Sequence, residues 1–291
     1  MKNQTFGIEI ETSGITRQKA AELIAEYFGT EASYYGGSYD KYTARDNKGR
    51  YWSCVFDSSI IAPSRATKCE VVSPILTYDD MADLQEIVRI LRRNGAKSSP
   101  SKQCGIHIHI GLGEHTIKTL KNLVNYMSSY QDLIYKALKI ADERQRWCQK
   151  LEPMLIDKFN ERGLDTFEKG ESAWYGKGQE SGKYQHYNPT RYHGLNLHSV
   201  FSKGTIEFRL FNGTLHAGEI RSYVCFCLAM SNFALEKKSI RRNRKSQFND
   251  KYAMYEMLCR IGIKGEEFKI VRDHLTKHLS GSLTHEGRYI L

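Results

Sequence analysis

Four short segments of the chain alternate apolar residues with residues that carry chemically active side chains. They lie at residues 7–11, 68–72, 104–110 and 204–210. Residues i and i+2 of a strand share one face of a sheet. Each segment therefore predicts a strand with one apolar face and a second face that carries carboxylate, imidazole or guanidinium groups. Helices are predicted where apolar residues recur three or four positions apart, mainly at residues 16–28, 79–93, 116–140 and 218–236.

The rest of the pattern completes an α+β chain. Residues 168–187 are polar and glycine-rich, which indicates a mobile loop. The other predicted elements are strands at 51–57, 193–200 and 204–211, the last two joined as a hairpin by a turn at 201–203, and helices at 252–260 and 266–279. Strands and helices in this order favour an antiparallel or mixed sheet that is backed by helices.

Composition and the first residues indicate a cytoplasmic protein. Hydrophobic residues make up 40% and charged residues 26% of the 291 positions, as in soluble globular proteins. The sequence has no apolar run near the ~18 residues that a membrane-spanning helix needs, and its start lacks the apolar core of a signal peptide. Seven cysteines, an odd number, do not suggest a disulfide framework. We therefore expect a cytoplasmic protein with reduced thiols and no membrane span.

The net charge of +10 favours acidic partners such as nucleotides, nucleic acids or other polyanions. Part of the excess lies in a basic cluster at residues 237–245. A solvated helix end or loop is the preferred interpretation, because no aromatic residues are interleaved there to stack on bases. A nucleic-acid-binding protein without catalysis stays open as an alternative.

The polar faces of the strands carry the groups that a hard divalent metal ion prefers. A mostly oxygen-donor set would consist of one of the two histidines, His107 or His109, with four carboxylates, Glu9, Glu11, Glu70 and Glu207. Oxygen ligands favour Mg²⁺ or Mn²⁺ over structural zinc, and carboxylates this close would repel one another without cations between them. Protein-bound Mg²⁺ usually shares its coordination with substrate phosphates. Arg209 would then neutralise charge on a transferring phosphoryl group.

Each pair of polar residues has a simpler interpretation when it is taken alone. Two glutamates two positions apart are common on an edge strand, and a glutamate and an arginine at that spacing often form a cross-strand charge pair. His107 and His109 could be one core histidine and one surface histidine. The pair His107 and His109 would also suit zinc, which leaves a zinc-dependent hydrolase as an alternative function. The metal–phosphate interpretation is favoured because four separate strands carry such groups.

Five motifs resemble, in the same order, those of the amidoligase family, whose members are carboxylate–amine ligases of the glutamine synthetase and glutamate–cysteine ligase superfamily. The motifs are FGIEIE at residues 6–11, DSSI at 57–60, EVVSP at 70–74, CGIHIH at 104–109 and GTIEFRLF at 204–211. The resemblance extends from Phe6 to about Ala234, and the segment at 260–269 also looks like the helical C-terminus of the family.

The resemblance implies an α+β fold with a curved, mainly antiparallel, glutamine-synthetase-like sheet, whose concave face holds ATP and two or three Mg²⁺ (or Mn²⁺) ions. It implies a catalytic domain at residues 1–236 and, packed on it, a basic linker with a helical C-terminal extension at residues 237–291. The implied activity is that of an ATP-dependent carbon–nitrogen ligase. Such an enzyme joins a carboxylate to an amine through an acyl phosphate, here on an amino acid, peptide or protein.

The motifs also imply roles for particular residues. The predicted metal ligands are Glu9, Glu11, Glu70, His107 and Glu207, with His107 preferred over His109. The predicted nucleotide contacts are Arg209, Asn196 and His109, and the predicted catalytic residues are Arg209, Glu70 and Asp57. Asp57 is expected to contact the substrate amine or a water molecule. Related kinases phosphorylate guanidino groups, so transfer that stops at phosphorylation also stays open.

Overall fold

The computed structural model describes residues 1–243, 249–285 and 288–289. The strands are β1 (Phe6–Ser13), β2 (Ala32–Gly36), β3 (Lys41–Arg45), β4 (Tyr51–Val55), β5 (Lys68–Val72), β6 (Gly105–Gly111), β7 (Leu195–Asn196), β8 (Thr205–Asn212), β9 (Thr284–His285) and β10 (Arg288–Tyr289). The first eight form one open antiparallel sheet in the order β2-β3-β4-β5-β1-β6-β8-β7, and β9 pairs with β10.

Helices back this sheet, which confirms the predicted α+β class. The α-helices of the described residues are α1 (Arg17–Phe28), α2 (Met81–Arg93), α3 (Ile117–Ala137), α4 (Asp142–Gln145), α5 (Pro153–Phe159), α6 (Phe167–Tyr175), α7 (His198–Lys203), α8 (Ala217–Glu236), α9 (Asp250–Arg260) and α10 (Lys269–Thr276). None of the helices in the described part of the chain combines the length and the apolar character that crossing a membrane would require.

The core lies on the helix side of the central strands. Their apolar alternate residues are fully buried, among them Ile8, Ile10, Ile106, Ile108 and Phe208. These side chains join one hydrophobic cluster with residues of α3 and α8. Because alternate residues point to opposite faces, the same strands present their carboxylates and imidazoles on the other side of the sheet.

Two predicted features of the fold are wrong. Residues 168–187 were expected to form a mobile loop, but they contribute to α6 and to a short 3₁₀ helix, Glu180–Tyr184. The side chain of Thr166 caps α6 by accepting a hydrogen bond from the Lys169 amide. Trp174, a residue of the same helix, is buried. The segment is mostly polar and has few buried residues, so its sequence shows no clear apolar period that would predict a helix.

The predicted hairpin at 193–211 is also different. Only β7 pairs with β8, and the chain then forms α7 where the prediction had the end of a strand and a turn. Gly204 ends α7 in the left-handed conformation, with φ of 69°, which glycine adopts without steric cost. Apolar residues at 197, 200 and 201 fit one helical turn as well as a strand, so the pattern alone could not decide.

The hairpin of β2 and β3 has no counterpart in the prediction, because Gly36 and Gly37 gave this segment the character of a turn. It extends the sheet beyond β4. At the other end of the chain, α10 packs against α8, where Lys277 forms an ion pair with Glu219. Of the basic cluster, residues 237–243 continue beyond α8 as irregular chain, whereas Arg244 and Lys245 lie outside the described residues.

Candidate active site

Strand pairing brings the predicted site residues onto one face of the sheet. Strand β1 lies between β5 and β6, with Glu11 opposite Glu70 and Glu9 opposite His107. Strand β6 pairs on its other side with β8, where His109 lies opposite Glu207. Residues directly opposite one another point to the same side of a sheet. Four strands that are distant in sequence therefore contribute to one cluster.

The cluster contains three overlapping groups in which the candidate ligand atoms lie within 4.8 Å of one another. The groups are Glu9–His109–Glu207, Glu9–Glu70–His107 and Glu11–Asp57–Glu70. Glu9 belongs to the first two groups and Glu70 to the last two. All predicted metal ligands are thus close together, and Asp57 joins them from the segment after β4.

The two histidines lie in different groups. The ring of His107 has Nδ1 3.0 Å from Glu9 Oε2 and Nε2 3.6 Å from Glu11 Oε1. His109 is oriented by a 3.0 Å contact between its Nδ1 and Thr205 Oγ1, and its Nε2 lies 3.3 Å from Glu9 Oε1. Each histidine is therefore within reach of a cation beside Glu9, and the preference for His107 stays a prediction.

These contacts set the charge states around Glu9. Burial alone would raise the pKa of Glu9, but the imidazoles of His109 and His107 outweigh it, and the pKa lies well below its usual value. Burial and the Arg209 guanidinium lower the pKa of His107 to about 4. Burial would lower the pKa of His109 too, but the carboxylates of Glu207 and Glu9 raise it. Glu9 is thus a firmly ionised centre of the cluster.

Glu207 is held on both carboxylate oxygens. Arg209 Nη1 donates to its Oε1 at 2.7 Å. Asn196 Nδ2 and Ser199 Oγ donate to Oε2 at 2.7 Å each. Burial opposes ionisation of Glu207, but Arg209 and His109 dominate and keep its pKa below the usual range. The predicted residue Asn196 therefore orients a carboxylate of the cluster.

Strand β8 is irregular beside Arg209. Ile108 pairs with Phe208 and Ile106 pairs with Phe211, so three residue steps on β8 face two on β6. Such a bulge shifts the alternation of side chains by one residue. Phe208 and Phe211 can therefore both face the core, while Arg209 stays beside Glu207.

In the third group, Glu11–Asp57–Glu70, burial and neighbouring negative charges oppose the ionisation of Glu11 and Glu70. Burial raises the pKa of Glu11 to about 7, although Arg144 and Arg209 partly offset it. Burial and the neighbouring carboxylates of Glu9 and Glu11 hold the pKa of Glu70 well above its usual value. Carboxylates that are this close bind protons unless another cation takes their place.

Arg144 is a site residue that the sequence analysis missed. Arg144 is 2% exposed, its Nη1 lies 3.9 Å from Glu11 Oε2, and its Nη2 donates to the Arg209 carbonyl at 3.0 Å. It packs directly against Gly105, where a Cβ atom would lie 2.1 Å from Nη1. The glycine of the histidine motif was the available signal, since a glycine in a buried strand often marks a close approach.

The cluster opens into a cleft of about 660 Å³. Besides the acidic groups and Arg144, aromatic residues line it, namely Tyr39, Phe56, Trp147, Tyr187 and Tyr192. None of these aromatic residues was predicted, because single aromatic residues in irregular segments carry no periodic signal. His186, Tyr187, Arg191 and Tyr192 line the cleft from the chain before β7, and Tyr39 lines it from the turn between β2 and β3.

Comparison with known families agrees with the resemblance of the motifs. The model of the family described as "Putative amidoligase enzyme" matches residues 2–231. The chain belongs to this amidoligase family, and the match includes every residue of the cluster described above. The comparison with curated proteins gave no match.

Proposed function

We propose that this protein is an ATP-dependent carboxylate–amine ligase that forms an amide through an acyl phosphate. The observation that carries the proposal is the convergence of three carboxylate-rich groups around Glu9 and Glu70, with Arg209 beside them. Membership of the amidoligase family supports ligation. ATP is the proposed co-substrate because a free carboxylate is a poor acylating agent until phosphorylation gives it a good leaving group.

The residues of the cluster fit Mg²⁺ or Mn²⁺. The buried Nε2 of His109 makes no hydrogen bond of regular geometry with the residues that the structure describes, although it lies 3.3 Å from Glu9 Oε1. Each group of candidate ligands contains at most one imidazole and at least two carboxylates. This donor set favours a hard, oxygen-binding ion over zinc. A bound ion of this kind would neutralise charge on the β- and γ-phosphates of ATP.

The residues of this chain have distinct tasks in the proposed reaction. An oxygen of the substrate carboxylate attacks the γ-phosphorus of ATP, and ADP leaves with the pair of electrons from the broken bond. Arg209 stabilises the negative charge of the phosphoryl group during this transfer. Asn196 and Ser199 keep Glu207 in place beside Arg209.

In the second step, an amine attacks the carbonyl carbon of the acyl phosphate, and inorganic phosphate leaves. The amine loses a proton as the amide forms, and a carboxylate can accept it. We assign this task to Asp57 or Glu70, whose oxygens lie together on the β4–β5 side of the cluster. The Ser59 amide and hydroxyl both donate to Asp57 Oδ1 at 2.6 Å and orient it.

The cleft suits a small or flexible substrate. Its volume of about 660 Å³ lies within the usual range of ligand sites, and its aromatic and basic walls fit an amino acid or the end of a peptide beside a nucleotide. An amino acid, a peptide or a protein side chain is therefore the proposed substrate class.

The test is ADP release from Mg²⁺-ATP, screened over amino acids and peptides, with mass spectrometry of the product. Glu9→Ala and Glu207→Ala should each abolish Mg²⁺-dependent ATP binding measured by calorimetry. Glu22→Ala, at an exposed residue of α1, should leave this binding unchanged. Undiminished binding in both site variants would refute the proposal. A phosphorylated product without an amide would identify a kinase, and zinc in the purified protein would favour a hydrolase.

Arg209 has a separate quantitative test. Arg209→Ala should lower turnover by about three to five powers of ten, as for arginines that stabilise phosphoryl transfer. Steady-state ADP release with the best substrate measures this loss. Unchanged turnover would remove Arg209 from the mechanism.

A further inference from the structure

A second cavity of about 280 Å³ adjoins the main cleft on the side of β7 and α7. Arg191, Lys203 and His186 line both spaces, so the two share a wall. Hydrogen-bond donors and cations dominate the wall of the second cavity. Its only carboxylate among the described residues is Glu207, both of whose oxygens are already bound by side-chain donors.

His198 presents a donor to this cavity. Its side chain is buried, and the Tyr175 hydroxyl lies 2.5 Å from its Nδ1. Burial raises the pKa of Tyr175, so the hydroxyl keeps its proton and is able to donate it to Nδ1. Burial also lowers the pKa of His198 to about 4, which leaves the ring neutral. With Nδ1 as the acceptor of the Tyr175 hydroxyl, we assign the single proton of the ring to Nε2.

That proton has no acceptor among the residues that the structure describes. His198 Nε2 makes no hydrogen bond with the residues in the described part of the chain, although His198 lines the cavity. The nitrogen is not enclosed by the protein, so a ligand in the cavity can reach it. A ligand with a negatively charged oxygen would supply the missing acceptor.

The charges around the cavity are also incompletely balanced. Arg191 Nη1 donates to the His186 carbonyl at 2.7 Å, and the guanidinium lies 5.7 Å from the Tyr187 ring centre. Within the described residues, neither Arg191 nor Lys203 forms an ion pair with a carboxylate. Lys183, by contrast, is paired with Glu171 at 3.0 Å. Two positive charges therefore remain available beside the His198 donor.

We infer that this second cavity binds an anionic group, a phosphate or a carboxylate, through His198, Arg191 and Lys203. The inference rests on the proposed function, because the anion would belong to a ligand of the same cleft. It could be part of the phosphate chain of the nucleotide or an acidic group of the molecule that is ligated. Both sources offer the same chemistry, and binding measurements can separate them.

The test uses three probes, inorganic phosphate, Mg²⁺-ADP and glutamate, with affinities measured by calorimetry. Lys203→Gln and His198→Leu should each weaken the binding of the anion that occupies the cavity by at least about tenfold, the usual effect of losing a hydrogen bond to a charged group. His198→Gln, which retains an N–H donor, should lose less. Lys118→Gln on the exposed surface of α3 removes the same charge elsewhere and is the matched control.

The pattern of losses identifies the source of the anion. Weaker binding of Mg²⁺-ADP assigns the cavity to the nucleotide, and weaker binding of glutamate alone assigns it to the ligated molecule. Equal affinities of Lys203→Gln and Lys118→Gln for all three probes, or a wild-type protein that binds none of them, would overturn the inference. If phosphate binding depends on Lys203 but no substrate causes ADP release, the anion site is supported and the proposed ligase function fails.

Discussion

Gly105 links the packing of the sheet to the charge of the site. Without a side chain at this position, the Arg144 guanidinium lies flat against the strand and approaches Glu11. The Gly105 amide itself donates to Glu11 Oε2 at 2.5 Å. One small residue therefore provides two contacts that hold Glu11, and a side chain there would disturb both.

We predict that Gly105→Ala lowers the free energy of unfolding by about 1–3 kcal/mol, as overpacking does in cores. The new Cβ atom would lie 2.1–2.3 Å from three guanidinium atoms of Arg144, which must move away. Gly7→Ala in β1 is the control, because its nearest neighbour would be Ser73 Oγ at 3.9 Å. Urea unfolding measures both.

A double-mutant cycle makes this prediction specific to the Arg144 contact. Once Arg144→Ala has removed the guanidinium, Gly105→Ala should cost much less than it does in the wild-type protein. Additive effects of the two substitutions would show that the glycine serves another purpose.

The raised pKa of Glu11 predicts that Mg²⁺ binding depends on pH. Burial holds this pKa at about 7, so much of the ion-free protein carries a proton on Glu11 below that pH. A metal ligand must be deprotonated. The affinity for Mg²⁺ should therefore rise with pH across this range, and binding near pH 7 should release protons.

Calorimetry in buffers of different ionisation enthalpy measures this release. Glu11→Gln is the informative comparison, because it removes the titrating group and leaves the shape of the side chain nearly unchanged. Identical heats in all buffers for the wild-type protein would contradict the assignment of Glu11 as a ligand that exchanges a proton for a metal ion.

At the scale of the elements, the faces of the strands were predictable but their irregularities were not. The two-residue period of β1 and β6 is a local property, so the sequence sufficed to place Glu9, Glu11, His107 and His109 on a common face. The bulge in β8 depends on its pairing with β6, and the run from Ile206 to Phe211 reads as a regular strand. Pairing between distant strands leaves no such local signal.

The elements around the cleft illustrate the same limit. Arg144 comes from the four-residue helix α4, and Tyr187 and Arg191 come from largely irregular chain between α6 and β7. Their position depends on tertiary contacts such as the hydrogen bond from Trp174 Nε1 to Thr190 Oγ1 at 3.0 Å. The motif residues of the site were therefore predicted, whereas most of the walls of the cleft were not.

Trp174 should hold residues 176–192 in place, because it contacts Thr190 and His193. It is 4% exposed and makes edge contacts with the rings of Phe159 and His193. We predict that Trp174→Ala lowers the free energy of unfolding by about 3–5 kcal/mol, the usual cost of removing a buried aromatic side chain. Met154→Ala, at a residue that is 65% exposed on neighbouring α5, should change it little.

Limited proteolysis should locate the effect. Cleavage of Trp174→Ala is expected first within residues 176–192, because these residues lose their anchor while the sheet retains its own contacts. Cleavage that starts in the sheet strands instead would show that Trp174 stabilises the whole fold and not residues 176–192 in particular.

At the scale of the whole molecule, the charge is unevenly distributed. The protein carries a net charge of +10, yet one face of its sheet collects several buried carboxylates. The surplus of positive charge therefore lies elsewhere, including the margin of the cleft at Arg191 and Lys203. Such a distribution attracts a polyanion toward the site while leaving the centre free for cations.

The C-terminal helices are expected to unfold together with the sheet, in keeping with the prediction that residues 237–291 pack on the rest of the chain. Val271 and Leu275 of α10 are buried in the same hydrophobic cluster as the residues of α8. Leu275→Ala should lower the free energy of unfolding by about 2–5 kcal/mol. Ile270→Ala on the same helix, at a residue that is 58% exposed, should change it by less than about 0.5 kcal/mol.

Thermal unfolding followed by both circular dichroism and loss of ADP release distinguishes a shared core from an appended tail. If α10 completes the core behind the sheet, Leu275→Ala lowers both midpoints equally and leaves one transition, because α8 is packed between α10 and the strands that carry the site. Two separate transitions, with activity that survives the first, would instead mean that the C-terminal helices form an independent unit.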